Sequence, residues 1–274
     1  MIVKVCNADY SLQWDGIYQF ALENYPQIQE WELEKLAKFI AYEQDHCRQT
    51  IMECEDLELN IQIHDYLQEH SYFPPYRPSH QLVASTYDIH KKLVTSNYCS
   101  HTCTVEVAQA IFQTGKLMSA VKVFGKIGAE LVTDSRNAAS DPADYFDYIM
   151  FGWSNTTSGY RLAMERLLGR APSEEELQEK FIPGVSFHFL YEELIQAPGY
   201  IFDGYHVAKV RDSLDLNTFL YLCVIPSKDK ACFEGLIPSQ LQDRVLYLDY
   251  EGEGLQAWNT KVNQVLQSKD KLKE

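Results

Sequence analysis

Three prolines within eight residues separate the first third of this 274-residue chain from the rest. The segment Tyr72-Phe-Pro-Pro-Tyr-Arg-Pro-Ser79 cannot continue a helix or a central strand, because each proline lacks a backbone donor and favours extended geometry in the residue before it. We interpret this segment as a linker. The sequence therefore predicts an acidic helical region over residues 1–80 and a larger body over residues 81–274.

The front region combines a helical pattern with an excess of acidic residues. Residues 1–80 hold 14 Asp and Glu against 5 Lys and Arg, whereas residues 81–274 hold 25 against 19. From Ser11 to about His70 the apolar residues recur at helical spacing. They include Trp31, Leu33, Leu36, Phe39, Ile40, Ile51, Leu57, Ile61 and Ile63. We expect two or three helices here, with β-strands almost entirely after residue 95.

The body alternates predicted strands and helices. Residues 97–104 are predicted as a strand that leads into a short helix ending at Gly115, where glycine is a common helix terminator. Residues 141–170 and about 255–271 are predicted as helices. Short apolar runs between turn residues predict strands at residues 184–190, 200–202, 219–225 and 244–248. This order predicts an α+β fold with a mixed or antiparallel β-core.

Charge and cysteine content restrict the class of protein. With 24 Lys and Arg against 39 Asp and Glu, the net charge of −15 does not support a nucleic-acid-binding surface held by phosphate contacts. No apolar stretch approaches the ~18 residues of a membrane span, so we expect neither signal nor anchor. The seven cysteines form no C-x-x-C pair, which indicates reduced thiols and a cytoplasmic location.

Two spacings are typical of metal ligands. Cys99, His101 and Cys103 alternate, so on a strand they share one face and could supply three ligands to zinc. Glu43 and His46 match a Glu-x-x-His motif of di-iron bundles, but the chain has no second copy. We therefore expect no metal: the cysteines are interpreted as buried strand residues, and Glu43 as part of an exposed helix face.

A longer stretch carries a family resemblance. His101-Thr-Cys-Thr-Val-Glu-Val-Ala-Gln-Ala-Ile-Phe-Gln-Thr-Gly-Lys-Leu-Met-Ser119 resembles the opening of ADP-ribosyltransferase-like domains. The resemblance implies that His101 and Thr102 hold the nicotinamide side of NAD. Residues 183–189, 220–226 and 236–238 are similar in order to later strands of DarT-type DNA ADP-ribosyltransferases. Residues 141–170 also resemble a family of bacterial proteins of unknown function.

The chain departs from the ADP-ribosyltransferase pattern at one position. The glutamate that those enzymes carry on a late strand has no counterpart in residues 217–224, so the catalytic residues are not identified and we expect little or no ADP-ribosyl transfer.

Two hypotheses follow. In the first, the body binds NAD or a related nucleotide near His101 and Thr102, with Arg136 toward the phosphates and Tyr145 or Phe187 stacking on a ring. In the second, the chain is a non-catalytic interaction or regulatory protein that uses the same fold as a scaffold.

Overall fold

A computed structural model describes residues 1–9, 11–70, 73–74, 96–133, 142–202 and 206–271, with the side chains of residues 270 and 271 excepted. Two compact units divide the chain. The first, the N-terminal unit, comprises Met1–Tyr87 together with Phe202–His206, and the second, the C-terminal unit, comprises Asp88–Ile201 and Val207–Glu274. Apart from Phe73 and Pro74, the predicted linker lies outside the described residues.

The N-terminal unit is a four-stranded sheet with two helices. Its elements are β1 (Ile2–Cys6), β2 (Leu12–Trp14), β3 (Ile17–Ala21), α1 (Glu30–Asp45), β4 (Ile51–Cys54) and α2 (Leu57–Glu69). The strand order is β2-β3-β1-β4, with β1 parallel to both β3 and β4. Asp15 and Gly16, with φ of 52° and 73°, close the β2–β3 hairpin in the left-handed conformation that such turns require.

The prediction of a mostly helical front region, with strands almost entirely after residue 95, is therefore wrong. Four strands lie before residue 55, and β4 occupies a position that was predicted to continue a helical stripe. The physical reason is visible in β1, where Val3 and Val5 are buried between more exposed neighbours, a period of two rather than 3.6. Two helices were predicted correctly between Ser11 and His70. These are α1 and α2, which bury the predicted apolar residues Leu36, Phe39 and Ile63.

Glu43 also differs from its prediction. It lies on the buried face of α1 with 1% of its surface exposed, rather than on an exposed face. The Arg48 guanidinium donates two hydrogen bonds to its carboxylate, at 2.6 Å and 2.8 Å, and this pairing compensates for the burial of the charge.

The C-terminal unit is built on a seven-stranded sheet. Its strands are β5 (Tyr98–Cys103), β6 (Lys116–Met118), β7 (Tyr148–Trp153), β8 (Val185–Leu190), β9 (Tyr200–Ile201), β10 (Ala208–Arg211), β11 (Ser213–Asp215), β12 (Leu220–Pro226) and β13 (Val245–Leu248). The large sheet has the order β13-β12-β8-β5-β7-β10-β9, and β6 and β11 form a separate antiparallel pair. All neighbours in the large sheet are antiparallel except the parallel pair β12–β13.

Helices follow the strands of this unit. They are α3 (Val105–Thr114), α4 (Ala120–Phe124), α5 (Gly128–Val132), α6 (Ser158–Leu168), α7 (Glu174–Glu179), α8 (Tyr191–Leu194), α9 (Leu216–Phe219) and α10 (Gly254–Lys271), with 3-10 helices at Ala143–Asp147, Ser227–Phe233 and Ser239–Arg244. A core cluster joins α6, α7 and α10 to one face of the sheet, with Tyr160, Tyr98 and Trp258 among its residues. The predicted α+β class is confirmed.

Residues 141–170 are not one helix. Pro142 precedes a 3-10 helix, β7 follows, and only α6 is α-helical, ending as predicted at Gly169 in the left-handed conformation. The run Tyr148-Ile-Met-Phe-Gly-Trp153 is rich in aromatic and β-branched side chains, which favour a strand. Four of these six residues are buried, so the strand lacks the clear alternation that would have distinguished it from a helix.

Candidate functional site

The central strand β5 loses one of its neighbours partway along its length. It pairs with β8 over six residues, from Tyr98–Leu190 to Cys103–Val185. With β7 it pairs only at Cys99–Trp153 and Ser100–Gly152, and the ladder between the two strands ends there. This end of the β5–β7 pairing, which we call the β5–β7 divergence, lies beside His101 and Thr102.

The middle of β5 is partly exposed at this point. Tyr98, Cys99 and Cys103 are buried, whereas the three residues Ser100, His101 and Thr102 retain accessible surface. A central strand covered on both faces would normally bury all of its residues. The exposure of these three residues indicates that the sheet is incompletely covered at the divergence.

His101 and Thr102 lie on opposite faces of the sheet, because successive side chains of a strand alternate. Nδ1 of His101 lies 3.3 Å from the carbonyl oxygen of Met150 on β7, and its ring meets Phe151 edge to face with centroids 6.3 Å apart. Burial lowers the pKa of His101, while the Met150 carbonyl acts in the opposite direction. His101 is therefore a neutral imidazole near pH 7, with Nδ1 suited to donate to the Met150 carbonyl.

Thr102 faces the beginning of α6. A Cβ atom added to Gly159 would lie 2.8 Å from Oγ1 of Thr102. Only a glycine at this position lets the helix approach β5 so closely. Gly152 on β7 lies under the same segment, where an added Cβ would be 3.6 Å from Oγ of Ser158. The start of α6 thus lies directly over β5 and β7 where they diverge.

The start of α6 is rich in hydrogen-bonding groups. Thr156 Oγ1 donates to the carbonyl of Trp153 at 2.8 Å and lies 3.2 Å from Oγ of Ser158. The Thr157 side chain accepts no hydrogen bond from the helix amides, and the first bond of the helix runs from the Arg161 amide to the Thr157 carbonyl. The amides of residues 158–160 come before that bond and have no carbonyl partner within the helix. Amides at a helix start carry partial positive charge, which attracts anions.

A buried polar chain lies beneath this segment. His188 on β8 contacts Oγ of Ser154 through Nδ1 at 2.9 Å and Oγ of Ser186 through Nε2 at 2.8 Å. Ser186 Oγ in turn lies 2.8 Å from the Tyr160 hydroxyl. Burial lowers the pKa of His188 to about 3 and raises the pKa of Tyr160, so both side chains are neutral near pH 7.

The other predicted site residues lie in different environments. Phe187 is opposite His101 in the β5–β8 register, yet it is fully buried against Phe112, with ring centroids 5.3 Å apart. Its predicted stacking on a ligand ring would require that part of the core to rearrange. Tyr145 lies in the 3-10 helix that leads into the diverging end of β7. Arg136 lies outside the described residues.

The late strand β12 contains no glutamate. A partly buried carboxyl group follows it at Asp229, whose pKa is raised by burial and by the nearby charge of Glu106, against an opposing effect of Lys228. Glu106 lies in the first turn of α3, directly after β5. These two carboxyl groups are the acidic residues closest in sequence to the carboxyl ends of β5 and β12.

The described residues contain no group of three or more His, Cys, Asp and Glu side chains arranged to hold a metal ion. Cys99 and Cys103 are buried, and burial raises the pKa of both thiols. Enclosed in this way, the two cysteines pack as small apolar core residues.

The sequence pattern predicted the strand that carries His101 and Thr102 but missed the segment that packs against Thr102. Residues 152–159, Gly-Trp-Ser-Asn-Thr-Thr-Ser-Gly, have the composition of a tight connection between a strand and a helix. Their inclusion in a single predicted helix obscured that signal. Ser186 and His188 carried no local signal, because their partners are distant in sequence.

Comparison with known protein families, curated proteins and solved structures finds no match for the chain. Among the described residues, no helix combines the length and the apolar character required to cross a membrane.

Proposed function

We propose that the C-terminal unit is an ADP-ribosyltransferase-like body that binds NAD or a related nucleotide at the β5–β7 divergence. The observation that carries this proposal is the loss of β7 pairing beyond Ser100, directly beside the partly exposed His101 and Thr102. Ligand sites commonly form where a sheet opens next to a helix start, because backbone donors and side chains converge there. The resemblance of residues 101–119 to ADP-ribosyltransferase-like domains gives the ligand class.

The polar groups around the divergence suit a dinucleotide. The amides and hydroxyls at the start of α6 can donate to phosphate or ribose oxygens. Neutral His101, whose Nδ1 donates to the Met150 carbonyl, can accept one hydrogen bond at Nε2 without adding charge beside a nicotinamide ring. The anion-attracting helix start lies on the Thr102 face of the sheet and the uncharged His101 on the opposite face. The proposed ligand therefore has a phosphate part and an aromatic part, and extends through the divergence to contact both.

The proposed activity is binding without efficient transfer. A glycosyl transfer from NAD passes through a positively charged sugar, which a carboxylate at the reacting carbon stabilises. Strand β12 supplies no such group. We expect the purified chain to bind NAD and to hydrolyse it slowly or not at all.

A thermal-shift screen tests the proposal, because a ligand that binds only the native state raises the melting temperature. NAD, ADP-ribose, nicotinamide, ATP and inorganic phosphate form the panel. NAD and ADP-ribose are expected to stabilise the protein at concentrations at which inorganic phosphate does not. Chromatographic detection of nicotinamide release then measures any hydrolysis. Stabilisation by none of these compounds would refute the proposed function.

The second candidate is a non-catalytic interaction protein. The observation that favours it is an exposed apolar tip between α4 and α5, where Val123, Phe124 and Ile127 are 54%, 56% and 65% exposed. Lys122 directly precedes Val123, Lys126 lies between Phe124 and Ile127, and both lysines are exposed as well. A mixed apolar and basic tip on an acidic chain suits contact with an acidic protein surface. Loss of binding to an acidic partner on Phe124→Ser substitution, with no response to any nucleotide, would support this candidate.

A further inference from the structure

One buried imidazole is connected to both ends of the segment 154–160. Ser154 directly follows β7 and contacts Nδ1 of His188, while Tyr160 lies in the first turn of α6 and is joined to Nε2 through Ser186. The four side chains are between 0% and 2% exposed. No solvent molecule can replace these hydrogen bonds without opening the core, so the chain of contacts is stable only as a unit.

The partners of His188 are all neutral hydroxyls. A neutral imidazole has one donor and one acceptor nitrogen, and a hydroxyl can serve either of them. The two flanking serines therefore satisfy both ring nitrogens of His188 in either tautomer. Phenylalanine has a similar ring shape but no polar atom, and would leave both serine hydroxyls without this partner.

Two other hydrogen bonds act near the beginning of the same segment. The Ser154 amide donates to the Tyr98 carbonyl at 3.0 Å, and the Thr156 hydroxyl donates to the Trp153 carbonyl at 2.8 Å. The imidazole of His188 differs from these because its contacts reach the first turn of the helix as well. It thereby sets the distance between the end of β7 and the start of α6.

We infer that His188 is a positioning residue that fixes the segment 154–160 at both ends, and so orients the amides and hydroxyls at the start of α6 toward the phosphate oxygens of a bound nucleotide. The role in ligand binding rests on the proposed function. The positioning of the segment does not, because it follows from the buried contacts alone. His188 itself is enclosed in the core, so it acts through the segment rather than by direct contact with a ligand.

Hydrogen exchange of the segment tests the positioning directly. Ser154→Ala and Tyr160→Phe each remove one hydroxyl from the chain, and His188→Phe removes both imidazole contacts. Tyr98→Phe is the matched control, since the Tyr98 hydroxyl is buried on the same face of the sheet but contacts the Leu266 carbonyl instead, at 3.5 Å. The amides of Thr156 and Arg161 donate to the carbonyls of Trp153 and Thr157, so their exchange reports opening of the segment without requiring any ligand.

We expect amide exchange of Thr156 and Arg161 to rise by about tenfold in Ser154→Ala and Tyr160→Phe, the factor that corresponds to one lost hydrogen bond, and to stay at the wild-type rate in Tyr98→Phe. His188→Phe should show the largest increase, and the two single-hydroxyl variants keep the test valid if it fails to fold. Unchanged exchange in those two, or an equal rise in Tyr98→Phe, would overturn the inference.

Titration with NAD tests the consequence for the ligand. Ser154→Ala and Tyr160→Phe should each weaken NAD binding by about fivefold to tenfold, while Tyr98→Phe should bind as the wild type does. If wild-type protein binds no NAD, the proposed function fails and the exchange result alone decides the positioning role. If wild-type protein binds NAD and both variants bind it equally well, the ligand-orienting role of His188 is refuted while the proposed function stands.

Discussion

Gly159 and Thr102 come into contact because glycine has no side chain: a Cβ atom on Gly159 would lie 2.8 Å from Oγ1 and 3.2 Å from Cβ of Thr102. This approach holds the first turn of α6 against β5 at the proposed site. It also provides a test in which one methyl group is added at a known place.

Gly159→Ala is expected to destabilise the protein by about 1–3 kcal/mol, the usual cost of overpacking, although alanine is the better helix former. It should also reduce any stabilisation by NAD, because α6 must move away from Thr102. The matched control is Gly152→Ala, where the nearest atoms are 3.6 Å and 3.8 Å away and ordinary van der Waals contact results. Denaturant unfolding of both variants measures the difference. Equal stabilities would show that the close approach has no energetic consequence.

The buried imidazole of His188 predicts a pH dependence of stability. Its pKa falls from 6.5 to about 3 on folding, because burial disfavours the charged form. Between these two values the unfolded chain binds a proton that the folded protein does not. The contribution of His188 to stability is therefore fully present above pH 6.5 and is lost as the pH falls toward 3, by about 1.4 kcal/mol per pH unit.

Urea unfolding of wild type and His188→Gln between pH 7 and pH 4 checks this prediction. Glutamine does not titrate, so the variant should lose less stability than the wild type as the pH falls. The effect of His101, whose pKa is also lowered by burial, cancels in the difference between the two proteins. Parallel pH profiles would contradict a buried, neutral His188.

The buried ion pair of Glu43 and Arg48 predicts an asymmetric response to substitution in the N-terminal unit. Arg48→Ala removes the guanidinium partner of a carboxylate that is 1% exposed. It should lower the free energy of unfolding by about 2–4 kcal/mol. This value is smaller than for a fully buried pair, because the Arg48 side chain is 28% exposed. Glu43→Gln keeps a hydrogen-bond acceptor and should cost less. Lys38→Ala, which removes an exposed pair with Glu34, should change stability by less than about 0.5 kcal/mol. A loss as small for Arg48→Ala as for Lys38→Ala would contradict this account.

The seven cysteines are unpaired and differ in accessibility. Cys47 and Cys232 are exposed and should be alkylated within minutes in the native protein. Cys99, Cys103 and Cys223 are buried with raised pKa values, so they should react only after denaturation. Mass spectrometry after alkylation without reductant should find all seven thiols modified in denaturant. A pair that remains unmodified there would reveal a disulfide.

The parts of the fold that were predicted correctly depend on local signals. The strand at residues 98–103, its following helix and the glycine that ends it were all read from the sequence, because Gly115 adopts the left-handed conformation that terminates a helix. The later strands were found for a similar reason, since turn residues separate compact apolar runs. The positions of His101 and Thr102 on this strand could be predicted because they belong to this well-marked unit.

The parts that were missed depend on pairings between distant residues. In β1, Ile2 pairs with both Ile17 and Ile51, and no short window of sequence contains that information. A four-residue strand such as β4 is too short to show a period against the helical stripe around it. At the site, Ser154 and His188 are 34 residues apart, so their contact exists only once β7 and β8 are assembled.

The central claim is that a nucleotide binds beside His101, and calorimetric titration of NAD into three proteins tests it most directly. The proteins are wild type, His101→Ala and the control His64→Ala, which removes an exposed histidine whose Nδ1 also contacts a backbone carbonyl, that of Asn60 at 2.8 Å. We predict that wild type and His64→Ala bind NAD with equal affinity, and that His101→Ala remains folded but binds at least about tenfold more weakly. Equal binding by all three proteins, or binding by none, would contradict the claim.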